Sequence, residues 1–172
     1  MHITQDHLTI RNALLSDAAQ LCTWWNDGAV MAHAGFPNGL GTTEQKVREQ
    51  IEANTDNRRL IIELDGRPVG EMSYSRKDKN TAEIGIKICE ANEQNRGIGT
   101  TLLRMFIRSL FEEYGFDRII LDTNTKNLRA QHVYEKLGFC RVGFRENCWK
   151  DQLGQWQSAI DYELTKKEGL HD

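Results

Sequence analysis

Apolar and polar residues alternate over several short stretches of the chain, which is the period of a half-buried β-strand. The alternation predicts strands at 8–13, 59–64, 68–75, 81–89, 140–148 and 158–165. In the fourth of these stretches Ile84, Ile86 and Ile88 share one face. Residues 118–123 are almost continuously apolar, which is typical of a strand that is buried on both faces.

A helical spacing of apolar residues replaces the alternation in four other stretches. The first follows the N-cap candidates Ser16 and Asp17, and the second runs from Thr43 to near Asn57. The third runs from Gly97 to a C-terminal glycine at 115, and the fourth covers 127–137. Residues 26–41 contain four glycines and a proline, so we expect a long irregular loop there.

The predicted elements follow the order β-α-α-β-β-β-α-β-α-β-β. The turn Asp65-Gly66 indicates a hairpin, so the region 59–89 is expected to form an antiparallel meander. A helix between the strands at 81–89 and 118–123 instead implies a parallel pair. We therefore predict a mixed α/β fold, an α+β mixed sheet with about four helices. A length of 172 residues fits one domain over 1–172.

Charge and cysteine content exclude several classes of protein. The chain carries 22 basic and 25 acidic residues, whereas nucleic-acid binding calls for a basic excess. Its longest apolar runs are four or five residues, too short to span a membrane, and its start lacks the layout of a secretory signal. The four cysteines form no zinc-like spacing. We therefore expect no metal, no nucleic-acid or membrane partner, and a cytoplasmic location.

The segment from Gln94 to Thr100 joins a predicted strand to a long amphipathic helix. Gly97 and Gly99 allow a ligand to approach the backbone closely, and the first helical turn leaves N–H groups without intrahelical partners. Such a helix start is a ready site for an anion such as a pyrophosphate. Arg96 adds a positive charge and Thr100 a hydroxyl group. A plain strand-to-helix turn would also place glycine here, so the spacing alone leaves both interpretations open.

Two other nucleotide sites fit this segment poorly. The chain has no GxxxxGK[ST] sequence, which excludes a P-loop. A Rossmann dinucleotide site requires a third glycine where Leu102 stands, although Asp122 has the place of a ribose-binding acid. The segment also lies in the middle of the chain, after a hairpin meander, whereas a Rossmann motif lies in a βαβ unit at the start of the fold. This position disfavours the Rossmann alternative.

Two sequence blocks carry a resemblance to a known family. Gln-x-x-Gly-x-Gly at 94–99 resembles the acetyl-CoA signature of the GNAT superfamily of N-acetyltransferases. The block from Asn127 through Tyr134 to Gly138-Phe139 is similar to the next motif of that family, and the order of elements agrees with its fold. More loosely, the chain looks similar to the ribosomal-protein and aminoglycoside acetyltransferases. The resemblance implies one N-acetyltransferase domain that uses acetyl-CoA.

The resemblance also implies where acetyl-CoA binds, in a V-shaped opening between the strands at 81–89 and 118–123. Pantetheine would pair with the backbone of Ile86–Ile88, whose N–H groups would also meet the oxyanion, and Asn127 would contact the cofactor arm. Asn127 is equally a competent helix N-cap. The implied cofactor-binding residues are Ile86, Lys87, Ile88, Gln94, Asn95, Arg96, Gly97, Ile98, Gly99, Thr100, Asn127 and Tyr134.

Catalytic roles follow from the resemblance and from amine chemistry. An amine with a pKa of about 10 is mostly protonated at neutral pH, so transfer needs a base for the amine and an acid for the leaving thiolate. Tyr134 occupies the family's acid position and Glu83, eleven residues before Gln94, that of a base. Glu71 is the fallback carboxylate. The competing interpretations are that Tyr134 is an aromatic side chain packed on its helix and that Glu83 has a structural role.

The acceptor site is expected at the front of the fold, from residue 24 to 41 and around 149–156. Trp24 and Asp27 offer an aromatic face and an acid for a cation, and Glu71 is also expected at the acceptor. The competing interpretation is that Trp25 belongs to the core and that Trp24 is a partial lid. The acceptor would be a primary amine of a small molecule, an aminoglycoside or a protein N-terminus, attacking directly in a ternary complex. The alternative function is a catalytically inactive CoA-binding module, and a homodimer is left open.

Overall fold

The computed structural model describes residues 1–53 and 56–169. Eight strands lie in these residues: β1 (His2–Gln5), β2 (Leu8–Asn12), β3 (Asn57–Leu64), β4 (Arg67–Arg76), β5 (Thr81–Ile88), β6 (Arg118–Asn124), β7 (Cys140–Lys150) and β8 (Trp156–Thr165). They also contain five α-helices: α1 (Ala18–Trp25), α2 (Gly28–Met31), α3 (Glu44–Glu52), α4 (Ile98–Glu112) and α5 (Leu128–Lys136). Short 3-10 turns precede α1, follow α2 and lie between β5 and α4.

The strands form one sheet in the order β1-β2-β3-β4-β5-β6-β8-β7. Neighbours pair antiparallel except for β5 and β6, which are parallel because α4 carries the chain back across the sheet between them. The last strand, β8, inserts between β6 and β7. The predicted mixed α/β class, with one parallel pair in a mostly antiparallel sheet, is confirmed.

Three local predictions differ from the structure. The strand β1 was not predicted, because its sequence His-Ile-Thr-Gln is short and polar and its partner is only the neighbouring β2. The segment 26–41 is not wholly irregular, since it contains α2, whose start Asp27 caps, and one 3-10 turn. The second helix does not reach Asn57, which already belongs to β3, and residues 54 and 55 lie outside the described residues.

The strands β2 to β6 and β8 present apolar side chains to one face of the sheet, where α4 covers the larger core. That core includes Leu60, Met72, Ile84 and Ile119 from the strands and Phe106 from α4. The residues between them in sequence face the other side. A smaller cluster there joins the side chains of α1 and α3 with Ile61 and Cys89. We call the side of the sheet that carries α1 and α3 the α1 face.

In the part of the chain that the structure describes, no helix is both long and apolar enough to cross a membrane.

Candidate active site

The strands β5 and β6 diverge shortly after they begin to pair. Their register runs from Thr81 opposite Arg118 to Glu83 opposite Ile120 and ends there. Beyond this vertex β5 continues along β4 only, and β6 along β8 only. The sheet therefore opens into a V between 84–88 and 121–124, and the residues Ile86–Ile88 lie on one arm of it. This free strand edge can accept an extended ligand as an added strand.

The segment 94–100 follows the end of the β5 arm. Asn95 and Gly97 both have left-handed backbones, with φ of 62° and 76°, and α4 begins at Ile98. A side chain added at Gly97 or Gly99 would meet no atom within 4 Å, so the space in front of these glycines is open. The helix start and the open space above it fit an elongated anion such as a pyrophosphate. Gln94 supports the turn by donating a hydrogen bond of 3.0 Å to the Ile88 carbonyl.

The predicted cation of this segment already has a partner. Arg96 Nη1 donates to Glu93 Oε2 at 2.7 Å, and Arg67 Nη2 donates to the other oxygen of the same carboxylate at 2.7 Å. The bond from Arg67 and the charge of Arg96 hold the pKa of Glu93 below its usual range. Glu93 thus fixes both guanidinium groups beside the helix start and cancels part of their charge.

The helix α5 brings Asn127 and Tyr134 to the other arm of the V. Asn127 Oδ1 accepts a hydrogen bond of 3.2 Å from the amide of Ala130, so this side chain caps the helix. The Tyr134 ring is buried against Phe139 and Tyr162. Burial, and secondarily the charge of Asp122, raises the pKa of Tyr134 to about 12. The Tyr134 hydroxyl is therefore protonated throughout the physiological range.

Glu83 lies at the vertex, on the α1 face, in a cleft of about 490 Å³. The same cleft is lined by Asp122 of β6, Arg59 of β3, Ser73 of β4 and Trp25 of α1. The Glu83 carboxylate is half-buried and forms an ion pair with Lys77. Asp122 Oδ2 accepts a hydrogen bond of 2.7 Å from Arg145. Two carboxylates from the two arms of the V thus meet in one cleft.

Three residues expected to bind the acceptor have other partners. Trp24 is 3% exposed and donates to Glu90 Oε1 at 2.9 Å, so it is a core residue and not a partial lid. Asp27 Oδ1 accepts a hydrogen bond of 2.8 Å from the amide of Ala29 at the start of α2. Glu71 is 4% exposed and is enclosed by three donors. These donors are Trp25 Nε1 at 3.0 Å, Arg59 Nη1 at 3.2 Å and Lys87 Nζ at 3.5 Å.

The sequence interpretation missed the contribution of Asp122 to the cleft. Residues 118–123 are almost continuously apolar, which predicts a buried strand, and the sequence pattern offers Asp122 only the place of a ribose-binding acid. Alternate residues of β6 nevertheless belong to different faces, with Ile119 and Leu121 in the core under α4. Glu83 pairs with Ile120 in register, and Asp122 lies two residues after Ile120 on β6. Glu83 and Asp122 therefore lie on the same face of the sheet.

No cysteine is among the described residues that line this cleft. All four cysteines are free thiols, and burial raises the pKa of Cys89, which keeps that thiol protonated. Within residues 1–53 and 56–169, no group of three His, Cys, Asp or Glu side chains is arranged to hold a metal ion.

Comparison with known proteins gives consistent matches. Residues 7–140 match the family described as an acetyltransferase (GNAT) domain. An aminoglycoside N(6')-acetyltransferase type 1 from Klebsiella pneumoniae is 26% identical over 155 residues, which cover 81% of this chain and 77% of that protein.

Two solved structures are similar in fold. A spermidine N-acetyltransferase from Vibrio cholerae, solved with CoA and spermine, superposes with a TM-score of 0.84 at 20% identity over 95% of this chain and 98% of that one. RimL, a ribosomal L7/L12 alpha-N-protein acetyltransferase solved with coenzyme A, superposes with a TM-score of 0.84 at 16% identity over 96% of this chain and 98% of that one.

Proposed function

Because the chain belongs to the GNAT family of acetyltransferases and so moves an acetyl group from acetyl-CoA to an amine, we propose that its acceptor is a small cationic amine of the aminoglycoside type. The acceptor binds in the cleft of about 490 Å³ on the α1 face. One N-acetyltransferase domain over residues 1–172 carries out the reaction. The relative from Klebsiella pneumoniae, an aminoglycoside acetyltransferase by name, supports this choice of acceptor.

One observation carries the proposal: Glu83 and Asp122 line the same cleft at the vertex of the V. Lys77 pairs with Glu83 and Arg145 with Asp122, on side chains that are roughly half exposed to solvent. An exposed ion pair of this kind contributes little stability, so an incoming ammonium group can replace either partner at small cost. A polyamine with several ammonium groups can contact both carboxylates at once.

The residues of the V and of 94–100 hold the cofactor in this proposal. Acetyl-CoA, when bound, supplies an acetyl group that is activated as a thioester. The edge of Ile86–Ile88 pairs with pantetheine, and the amides of 96–100 hold the pyrophosphate at the start of α4. Gln94, Asn95 and Arg96 shape this turn, and Asn127 contacts the cofactor arm while it caps α5. The open space above Gly97 and Gly99 supports this placement.

Glu83 acts as the general base in this proposal. It takes a proton from the acceptor ammonium, directly or through water, because only the neutral amine attacks a carbonyl carbon. Its place at the vertex supports this role, since the acceptor cleft and the cofactor opening meet there. The neutral amine then attacks the thioester directly in a ternary complex. Backbone N–H groups of 86–88 stabilise the negative charge that develops on the acetyl oxygen.

Tyr134 acts as the general acid. Its raised pKa keeps the hydroxyl protonated until the thiolate of CoA leaves and takes that proton. Tyr134 is 8% exposed, and its hydroxyl makes no hydrogen bond within the described residues, so it can donate to a ligand.

Thiol release from acetyl-CoA tests the proposed function. The purified protein is given kanamycin, spermidine, a primary alkylamine or a peptide with a free N-terminus, and CoA is measured with a thiol reagent. We expect the highest kcat/KM with kanamycin. A preference for the peptide would overturn the acceptor class, and CoA binding without turnover of any amine would favour the inactive CoA-binding module.

Location and assembly complete the proposal. We place the protein in the cytoplasm, which agrees with four free thiols. We also propose a homodimer that pairs through β7, because this strand lies at the edge of the sheet and exposes Val142 and Phe144. Light scattering after size exclusion tests the dimer, and a monomeric mass at the concentrations of the assay would exclude it.

A further inference from the structure

Arg59 on β3 adjoins three neighbouring cavities of the α1 face. It lines the cleft of about 490 Å³ at the vertex and two smaller cavities of about 290 and 180 Å³. Of the residues that the structure describes, Arg59 alone lines all three. The cleft proposed for the acceptor therefore continues away from the vertex along the sheet, and Arg59 stands where its parts meet.

The guanidinium group of Arg59 is held in a fixed position. Its Nη1 donates to Glu71 Oε2 at 3.2 Å, and its Cζ lies over the Trp25 ring, 4.9 Å from the ring centre. Trp25 in turn donates to the other oxygen of Glu71 at 3.0 Å. The Arg59 side chain is 34% exposed, and its remaining N–H groups make no hydrogen bond within residues 1–53 and 56–169. A guanidinium fork that is already ordered loses little freedom when it binds a ligand.

The two ends of the cleft carry opposite charges. Glu83 and Asp122 line it at the vertex, whereas Arg58 and Arg59 line it on β3. An ammonium group is attracted to the carboxylates and repelled by the guanidinium groups. Because a guanidinium group can only donate hydrogen bonds, its natural partners are oxygen atoms. The end at Arg59 therefore suits hydroxyl or ring oxygens and does not suit a second ammonium group.

Ser73 and Gly85 form the floor between the two ends. Arg59 pairs with Ser73, and Ser73 with Gly85, in register across β3, β4 and β5. A Cβ at Gly85 would come within 3.1 Å of Ser73 Oγ, so the glycine keeps the space above this hydroxyl open. The Ser73 side chain is half-buried, and its Oγ makes no hydrogen bond to any other described residue. Ser73 thus offers a second polar contact beside Arg59.

The spacing of the strands sets the length of a molecule that reaches both ends. Neighbouring strands are about 4.8 Å apart, which places the backbones of Arg59 and Gly85 about 10 Å apart. Glu83 lies two residues from Gly85 along β5, a step of about 7 Å. The backbones of Arg59 and Glu83 are therefore about 12 Å apart. A molecule of two linked rings with an amine at one end can span that distance.

We propose that Arg59 and Ser73 form an oxygen subsite that determines acceptor specificity. In this subsite the two side chains bind hydroxyl or ring oxygens of a polyhydroxylated amine whose ammonium group lies at Glu83. The inference rests on the proposed function, because it places the acceptor in the cleft on the α1 face. It narrows the acceptor to amines that carry oxygen atoms at a distance from the reactive nitrogen, and it disfavours linear polyamines.

Arg59→Gln tests the oxygen subsite, with Arg48→Gln as the matched control. Glutamine keeps a donor for Glu71 but lacks the charge and the fork of N–H groups. We expect KM for kanamycin to rise about tenfold, because a hydrogen bond from a charged donor is lost. KM for spermidine should fall or stay constant, because the guanidinium no longer repels its second ammonium group. Arg48 pairs with Glu44 on α3, outside the three cavities, so Arg48→Gln should leave both values unchanged.

Two more variants separate a contact with the acceptor from a structural effect. Arg59→Lys keeps the charge and loses the fork, so KM for spermidine should stay as in the wild type while KM for kanamycin recovers only in part. Ser73→Ala should raise KM for kanamycin about threefold and leave that for spermidine unchanged. A parallel rise of both KM values in Arg59→Gln would indicate a structural role and overturn the subsite.

Titration calorimetry supplies a readout that does not depend on turnover. Kanamycin is titrated into the wild type and into Arg59→Gln, each saturated with CoA, and the wild type should bind it about tenfold more tightly. Equal affinities, or no binding of kanamycin to the wild type, would overturn the subsite. If the wild type acetylates no amine but binds kanamycin through Arg59, the proposed function fails while the subsite stands.

Discussion

Glu83 and Ile120 are the last residues at which β5 and β6 face each other in register. This position places the Glu83 carboxylate at the vertex of the V, in the cleft that we propose for the acceptor. The fallback carboxylate, Glu71, has fixed partners instead, since it is enclosed by a tryptophan, an arginine and a lysine. The geometry at the vertex is thus the basis for the first prediction.

Glu83→Gln should lower kcat/KM for the amine by about 100-fold, because a missing general base typically costs that factor or more. KM for acetyl-CoA should stay within about twofold, since Glu83 lies outside the segment 94–100 that we propose for the pyrophosphate. Steady-state kinetics with saturating acetyl-CoA measure both values. Glu163→Gln is the control, since this carboxylate is also ion-paired, with Arg118. Full activity of Glu83→Gln would assign the proton transfer to another group.

Tyr134→Phe should lower kcat by about 10- to 100-fold with little change in acetyl-CoA affinity, because it removes the acidic hydroxyl and keeps the buried ring. Tyr162→Phe serves as the control, since its hydroxyl donates to Glu135 and not towards the V. An equal loss of affinity and turnover in Tyr134→Phe would indicate a packing role.

The pH profile gives a separate test of Tyr134. Its pKa of about 12 means that the hydroxyl loses its proton only as the pH rises through that value. Tyr134 should therefore cause no fall in kcat up to pH 10. An alkaline decline below pH 10 that disappears in Tyr134→Phe would contradict the raised pKa.

Gly99→Val should weaken acetyl-CoA binding more than tenfold while the fold is kept. A side chain at Gly99 meets no protein atom within 4 Å, so the new methyl groups enter the space assigned to the pyrophosphate. Titration calorimetry measures the affinity, and circular dichroism the fold. Thr101→Val, two residues further along the same helix, should bind acetyl-CoA normally. Unchanged affinity in Gly99→Val would remove the pyrophosphate from this helix start.

Asp17→Asn should reduce the free energy of unfolding at pH 7 by about 1–3 kcal/mol. Burial pushes the pKa of Asp17 up, but bonds from Arg11 and the Leu14 amide outweigh it and lower the pKa in the folded state. A lowered pKa stabilises the fold above the unfolded value of about 3.9, and this contribution is lost as the pH falls through the folded value.

Urea unfolding at several pH values measures this difference. The gap between wild type and Asp17→Asn should be full at pH 7 and should shrink below about pH 4, where the unfolded chain begins to bind a proton at Asp17, until the folded carboxyl is protonated as well. Asp65→Asn is the control, because Asp65 pairs with His7 at an exposed site. A gap that stays constant down to low pH would show that the charge of Asp17 is not the cause.

Local patterns were sufficient to predict much of the fold, including the elements that carry the proposed cofactor site. The alternation at 81–89, the glycines at 97 and 99 and the helical period that follows all describe neighbours in the sequence, and they found β5, the turn and α4. The placement of Tyr134 on α5 is local in the same sense. These elements depend on hydrogen bonds and periodicity within a few residues, which the sequence shows directly.

The acceptor side depends on contacts between residues that are distant in sequence. Trp24 and Trp25 are adjacent, and nothing local shows that the first binds Glu90 and the second Glu71. The insertion of β8 between β6 and β7 also has no local signal. Gln152 looks like any polar turn residue, although its side chain accepts from the backbone amide of Asn38 and donates to the carbonyl of Gly39.

The insertion of β8 also bears on how the enzyme is made. Along Leu121–Asn124, β8 is the only strand that pairs with β6 in the described residues, so this arm of the V has no neighbour until Trp156–Thr165 are present. During synthesis, the residues proposed to bind the cofactor therefore emerge before the strand that supports the β6 arm. Acetyl transfer should require β8 although none of these residues lies on it.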